Sequence, residues 1–326
     1  MNSTILYTVS AILMTGVILA YFRIAKHYQI VDKPNERSSH NYITYTAGGV
    51  IFAAAALLWF LLFGFEQPWF ILGMMMMTLI SFTDDVMPLS TILRTLVHLT
   101  AVTMMFWQAN IFRLHWPYIF AAYILAIGWI NAFNFMDGIN GILAFYSLVT
   151  LGTFWWVNQT LAFVSGDLII IVTISVLIFI FFNARKQAKT FAGDAGSISM
   201  AFILAYFMAR LMNKTDMVVY MLFFAIYGIE TVITILFRLE KNENILLPHR
   251  THLYQYLCNE LKWPHLKVSA IYALAQLVVN FLTIYMLKNG LMNKTRFIAF
   301  LFFLTLIYLI GRYLVLRKIA AMKKVE

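Results

Sequence analysis

The residues able to do chemistry in this 326-residue chain fall in five short clusters. They are residues 31–40 (VDKPNERSSH), Asp84-Asp85, residues 131–141 (NAFNFMDGING), residues 191–197 (FAGDAGS) and residues 249–252 (HRTH). Adjacent Asp84 and Asp85, with Arg94 a few turns on, can bind a divalent ion or act as a base toward a phosphate or hydroxyl. The plain alternative is a solvated helix end. Asn131, Asn134, Asp137 and Asn140 recur every third residue, so in a helix they fall along one side. Gly138 and Gly141 are expected to break that helix and expose backbone N–H groups. Amides beside a carboxylate suit a nucleobase or ribose and can share a metal; the competing role is polar glue between helices.

FAGDAGS precedes an apolar run. Its glycines allow close approach of a phosphate, and Ser197 is expected to cap the helix that follows, whose N-terminal dipole favours anions. Asp194 there points to a metal bridging to diphosphate oxygens. His249, Arg250 and His252 suit anion binding better than zinc, because no cysteine or third ligand is near. Lys33, Arg37 and His40 read in the same way. Asn183 closes an apolar run beside the basic pair Arg185 and Lys186, which snorkel by default, and is a candidate substrate contact. His98 reads as a packed, hydrogen-bonded residue. Glu230, inside an apolar run, is a functional candidate or the partner of Arg238.

These clusters interrupt a chain that is 62% hydrophobic and 12% charged, which excludes a soluble domain of this size. The pattern predicts an all-α, polytopic integral membrane protein of about eleven helices, at 4–23, 46–65, 69–83, 92–110, 117–134, 141–158, 166–183, 196–213, 217–237, 267–287 and 296–316. The third run is the shortest; either its helix continues through Asp84-Asp85 or the two carboxylates sit recessed. Of 24 Lys and Arg, 18 fall on the loops and helix ends of one face, with all five clusters. That face is expected to be cytoplasmic, with the N-terminus outside and the C-terminus inside. No basic residue precedes the first apolar run, so a retained helix is expected in place of a cleaved signal. The net charge of +10 reads as basic loops near anionic lipid, with no nucleic-acid partner. The single cysteine, Cys258, excludes an internal disulfide. A transporter would carry its polar groups at mid-membrane, where only His98 and Glu230 stand.

Taken together, the motifs resemble the polyprenyl-phosphate N-acetylhexosamine-1-phosphate transferase family. VDKPNERSSH, Gly48-Gly49, TDDV, NAFNFMDGINGI, FFNA, FAGDAGS and HRTHLYQ occur in family order and spacing. The resemblance implies one membrane-embedded transferase domain over residues 1–326 in the bacterial inner membrane, its active site facing the cytoplasm. It implies that undecaprenyl phosphate attacks the β-phosphate of a UDP-N-acetylhexosamine with Mg²⁺, or Mn²⁺ in its place, and releases UMP. It leaves room for a homodimer. Carried over to this chain, Asp84 and Asp85 match the pair that activates or positions the lipid phosphate. Asp194 and Asn134 match metal-binding positions, and Phe191 an aromatic that stacks on uracil. Asn131, Asp137, Gly138, Asn140 and Asn183 match the nucleotide and sugar pocket. His249, Arg250 and His252 match a histidine-rich loop at the sugar or diphosphate. Asn140 in place of Asp looks like the dolichyl-phosphate relatives, Arg94 stands where Lys is expected, HRTH stands in place of consecutive histidines, and VDKPNER looks more like the enzymes that start O-antigen, common-antigen or teichoic-acid chains. They favour a GlcNAc-type donor over the pentapeptide donor of peptidoglycan synthesis.

Overall fold

Each of the eleven apolar runs folds as helix in the computed structural model, which describes residues 3–32, 34, 42–244 and 249–324. In chain order the elements are α1 (Ser3–His27), β1 (Val31–Asp32), β2 (Thr44–Tyr45), α2 (Val50–Leu62), α3 (Pro68–Val86), α4 (Thr91–Gln108), α5 (Trp116–Phe135), α6 (Ile142–Leu161), α7 (Gly166–Asn183) and α8 (Gly193–Thr215). A 3₁₀ segment, Val218–Phe224, leads into α9 (Ala225–Glu240). The short α10 (Leu253–Gln255), a π turn at Tyr256–Glu260, α11 (His265–Lys288) and α12 (Lys294–Met322) complete the chain.

The multi-span helical membrane architecture stands. Among the described residues eight segments are long and apolar enough to cross a membrane, against the eleven expected: α1, α3, α5, α7, α8, Val218–Glu240, α11 and α12. α2 is apolar but has 13 residues, about 20 Å at 1.5 Å per residue, which is shorter than a hydrocarbon core. α3 does not stop before its acidic pair. It runs through Asp84-Asp85 to Val86.

α8 is the hub, buried along most of its length. Small residues bring neighbours to backbone contact. A Cβ on Gly196 would lie 2.5 Å from the Gly49 Cα, so only glycine fits where α8 meets the start of α2. Aromatic stacks fill the centre, with Trp129 on Phe224 at 3.7 Å and Tyr146 on Tyr227 at 3.6 Å between ring centroids. Amide glue joins α6 to α11: Gln276 Oε1 accepts from the Tyr146 hydroxyl at 2.7 Å, and Asn280 Nδ2 donates to Thr153 Oγ1 at 2.8 Å. The chain alternates direction, so the C-terminal ends of α3, α5 and α7 meet the N-terminal end of α8.

Candidate active site

The site is built where α3 ends against the start of α8. Gly193 takes φ +68, and a Cβ there would collide with the Ala47 backbone and Asp85 Oδ2 at 2.6–2.7 Å. The tight turn turns the first N–H groups of α8 toward α3. Asp85 accepts them: Asp194 N donates to Oδ1 at 3.1 Å and Ala195 N to Oδ2 at 3.2 Å. A carboxylate at a helix N-terminus meets orphan donors and a favourable dipole. The expected cap, Ser197, lies one turn inside α8 and donates instead to Asn134 Oδ1 at 2.6 Å. Asn134 and Asp194 line the same cavity. Asp84 points elsewhere. Its Oδ2 pairs with Arg94 Nη1 at 2.6 Å and its Oδ1 accepts from Leu89 N at 2.8 Å, closing the turn between α3 and α4.

Around this junction three loops are tied together. Asn183, at the end of α7, accepts from Gly141 N at 2.8 Å and donates to the Thr190 carbonyl at 3.0 Å. Asn140 Nδ2 donates to the Arg185 carbonyl at 2.7 Å, and its own carbonyl accepts from Ser269 Oγ at 2.8 Å. The short β1–β2 ribbon lies alongside: Phe191 N donates to the Tyr45 carbonyl at 2.8 Å and Gly48 N to the Phe191 carbonyl at 2.9 Å. These bonds set Phe191 on the wall of a cavity of about 450 Å³.

That cavity carries the site's electrostatics. Asp32, Asp85, Asp137 and Asp194 all line it, with Asn134, Gly138, Asn140, Asn183, Gln255 and His265 among the rest. Among the described residues no lysine or arginine lines it. Asp137 keeps some surface open to the cavity, yet burial, and then the charges of Asp194 and Asp85, hold its carboxyl well above the ordinary carboxylate range. A divalent cation suits such a gathering of acids. Among the described residues no three His, Cys, Asp or Glu side chains converge closely enough to hold a metal by themselves. Adjoining Asp194 and Asn134 therefore fit an ion that takes the rest of its shell from phosphates and water, the habit of Mg²⁺.

Of the sequence-predicted residues, the fold brings Asp85, Asn134, Asp137, Gly138, Asn140, Asn183, Phe191 and Asp194 to the cavity wall. Asn131 is not there. α5 ends at Phe135, so the three-residue register is broken before Asp137, and Asn131 sits exposed with its amide donating to its own helix at Ile127. Asp84 is held outside by Arg94. His249, Arg250 and His252 lie beside the cavity, not on its wall. His249 meets Phe135 with ring centroids 6.2 Å apart, and His252 stacks on Tyr254 at 5.6 Å. Burial, then Arg238, lowers His249 to about 4; burial, then the neighbouring His249, lowers His252 to about 3. Lys33 and Arg37 lie outside the described residues. Asp32, Gln255 and His265 are wall residues that sequence reasoning did not single out. The first two stood inside quoted motifs; His265, after Pro264, carried no signal.

Fold and cavity together define a multi-span helical membrane protein with an acid-lined cleft at one end of its bundle. Residues 68–212 match the model of glycosyl transferase family 4. The chain is 28% identical over 287 residues to a phospho-N-acetylmuramoyl-pentapeptide-transferase of Thermotoga maritima, covering 80% of this chain and 91% of that protein. It is 27% identical over 277 residues to an undecaprenyl-phosphate alpha-N-acetylglucosaminyl 1-phosphate transferase of the same organism, covering 80% and 83%. It is 24% identical over 274 residues to the enzyme of that name in Escherichia coli O157:H7, covering 76% and 75%. These matches bear out the resemblance read from the motifs and support a phosphotransferase-type enzyme.

Proposed function

We propose that this protein transfers N-acetylhexosamine 1-phosphate, GlcNAc-1-phosphate in the leading form, from a UDP-sugar to undecaprenyl phosphate, releasing UMP and starting a cell-surface polysaccharide. The family match and the names of the relatives support polyprenyl-phosphate sugar-1-phosphate transfer as the class of reaction. The observation that carries it is the single cavity shared by Asp85, Asp137, Phe191 and Asp194 at the start of α8. A phosphate oxygen of the lipid forms a bond to the β-phosphorus of the donor. The bond from that phosphorus to the bridging oxygen breaks, and UMP leaves with the electron pair.

Phe191 offers a face on which uracil stacks. Asp137 and Asn140 lie where ribose and sugar hydroxyls bind, and Asp85 positions the attacking phosphate. Asp194 and Asn134 would hold a Mg²⁺ ion, which would supply charge neutralisation between two anionic reactants whose approach is otherwise strongly opposed. The preponderance of Lys and Arg on the loops and helix ends of the site-bearing face, 18 of 24, supports an active site on the cytoplasmic side of a bacterial inner membrane.

A second reading is transfer of phospho-MurNAc-pentapeptide, favoured by the 28% identity to the Thermotoga maritima enzyme of that name. Asn140 argues for the first reading. Its amide donates to a backbone carbonyl, and an Asp at this position would set a carboxylate against that carbonyl. The test is Asp194→Asn. We expect UMP release to fall by about a hundredfold or more while the protein still inserts and folds. Activity retained at saturating Mg²⁺ overturns the metal assignment.

A further inference from the structure

Arg312 takes no part in the cavity. α12 exposes nearly all of its surface to its surroundings, and its buried residues are Arg312 and Ile319. A guanidinium buried in an apolar helix is costly unless its donors are met and its place is useful. Arg312 Nη1 donates to the Thr251 carbonyl at 3.0 Å and to the Tyr308 hydroxyl at 3.2 Å, and its plane lies 5.0 Å from the Phe237 ring centroid and 5.5 Å from that of Tyr256. Glu230 of α9, fully buried, reaches the same segment. Its Oε1 accepts from Leu253 N at 2.6 Å and Tyr254 N at 3.3 Å, and its Oε2 accepts from the Tyr272 hydroxyl of α11.

Two long helices, α9 and α12, therefore hold residues 251–254, and α11 steadies Glu230 through Tyr272. Glu230 stands ten residues before the end of α9, about 15 Å along the axis, so the segment re-enters the bundle. Irregular backbone at that depth persists only where protein meets its polar groups. The gripped segment bears on the cavity at two points. Gln255 lines the wall. Tyr254 donates its hydroxyl to the carbonyl of Phe135, the last residue of α5, and packs under Gly138, which also lines the wall.

We propose that Arg312 and Glu230 are positioning residues that latch the 249–255 segment onto the end of α5, so that the C-terminal helix sets how tightly the donor is held. The proposal rests on the transferase reading for what the donor is; the latch itself does not. The experiment uses the full chain in lipid nanodiscs, wild type against R312A, R312K and E230Q. Hydrogen exchange is followed by mass spectrometry, and KM and kcat are measured with UDP-GlcNAc and undecaprenyl phosphate. In R312A, loss of a charge-assisted bond should speed exchange of residues 249–256 by about tenfold or more while α8 is unchanged. Donor KM should rise about tenfold with kcat altered less than about threefold, and R312K should recover part of both. E230Q, which keeps the shape, should show the same local loosening where R312A does not insert. The latch is overturned by unchanged exchange in both variants, by faster exchange throughout the bundle, or by a fall in kcat at constant KM. UMP release from no donor by the wild type would defeat the transferase reading, while the exchange result still decides the latch.

Discussion

Asp84 and Asp85 are one residue apart on α3, so their side chains point about 100° apart around the helix. That rotation gives them different partners. Asp84 is spent on Arg94 and on the turn into α4, whereas Asp85 caps α8 from the cavity wall. Asp85→Asn should lower turnover by about a hundredfold or more. Asp84→Asn should cost about tenfold at most, because it loosens a part-exposed ion pair. Steady-state UMP release by the two variants checks the ranking, and equal losses would contradict it. Both carboxylates were legible as candidates from their place at the end of an apolar run. Their division of labour was not, because it depends on Gly193 and Arg94 arriving from elsewhere in the chain. Ser197 shows the same limit. A serine just inside a helix start reads as a cap, but Asp85, 109 residues earlier, takes the N–H groups first.

Among the elements, hydropathy located the long helices but not the three-residue α10, since a bilayer-length apolar run has few other folds open to it. It placed the end of α5 to within one residue, 134 against Phe135, but the polar register beyond that end was misread. The every-third-residue pattern of NAFNFMDGING continues past Phe135, yet the backbone leaves the helix there, with the Phe135 carbonyl taken by Tyr254. The α2–α8 contact was also out of reach, although its glycines were visible. Gly196→Ala should destabilise the protein by about 1–3 kcal/mol, because the added methyl meets backbone that cannot move aside. Gly152→Ala, with open space around it, should be neutral or slightly stabilising. Thermal unfolding in detergent compares the two; equal effects would refute the packing argument. The 249–255 segment gives a pH prediction. His252 falls from 6.5 to about 3 on folding, so the folded state binds fewer protons in that interval. Stability should hold above about pH 6.5 and decline as pH falls toward 5, and His252→Gln should flatten part of that decline. An unchanged slope would show that the imidazole is not the group responsible.

For the molecule as a whole, the chain carries net charge +10, yet the cleft holds four carboxylates among the described residues. That contrast makes sense if cation and phosphates meet in the cleft while basic loops face anionic lipid. Glu230, a candidate for transport from sequence alone, is occupied with backbone N–H groups and a tyrosine. That occupation weakens the transporter reading further. The most direct measurement is UMP release by purified protein in detergent, with undecaprenyl phosphate and Mg²⁺, across UDP-GlcNAc, UDP-GalNAc, a deoxy-N-acetylhexosamine donor and UDP-MurNAc-pentapeptide. The account predicts UMP from a UDP-N-acetylhexosamine, only when lipid and divalent ion are both present. UMP from the pentapeptide donor alone, or from none of the four, would contradict it.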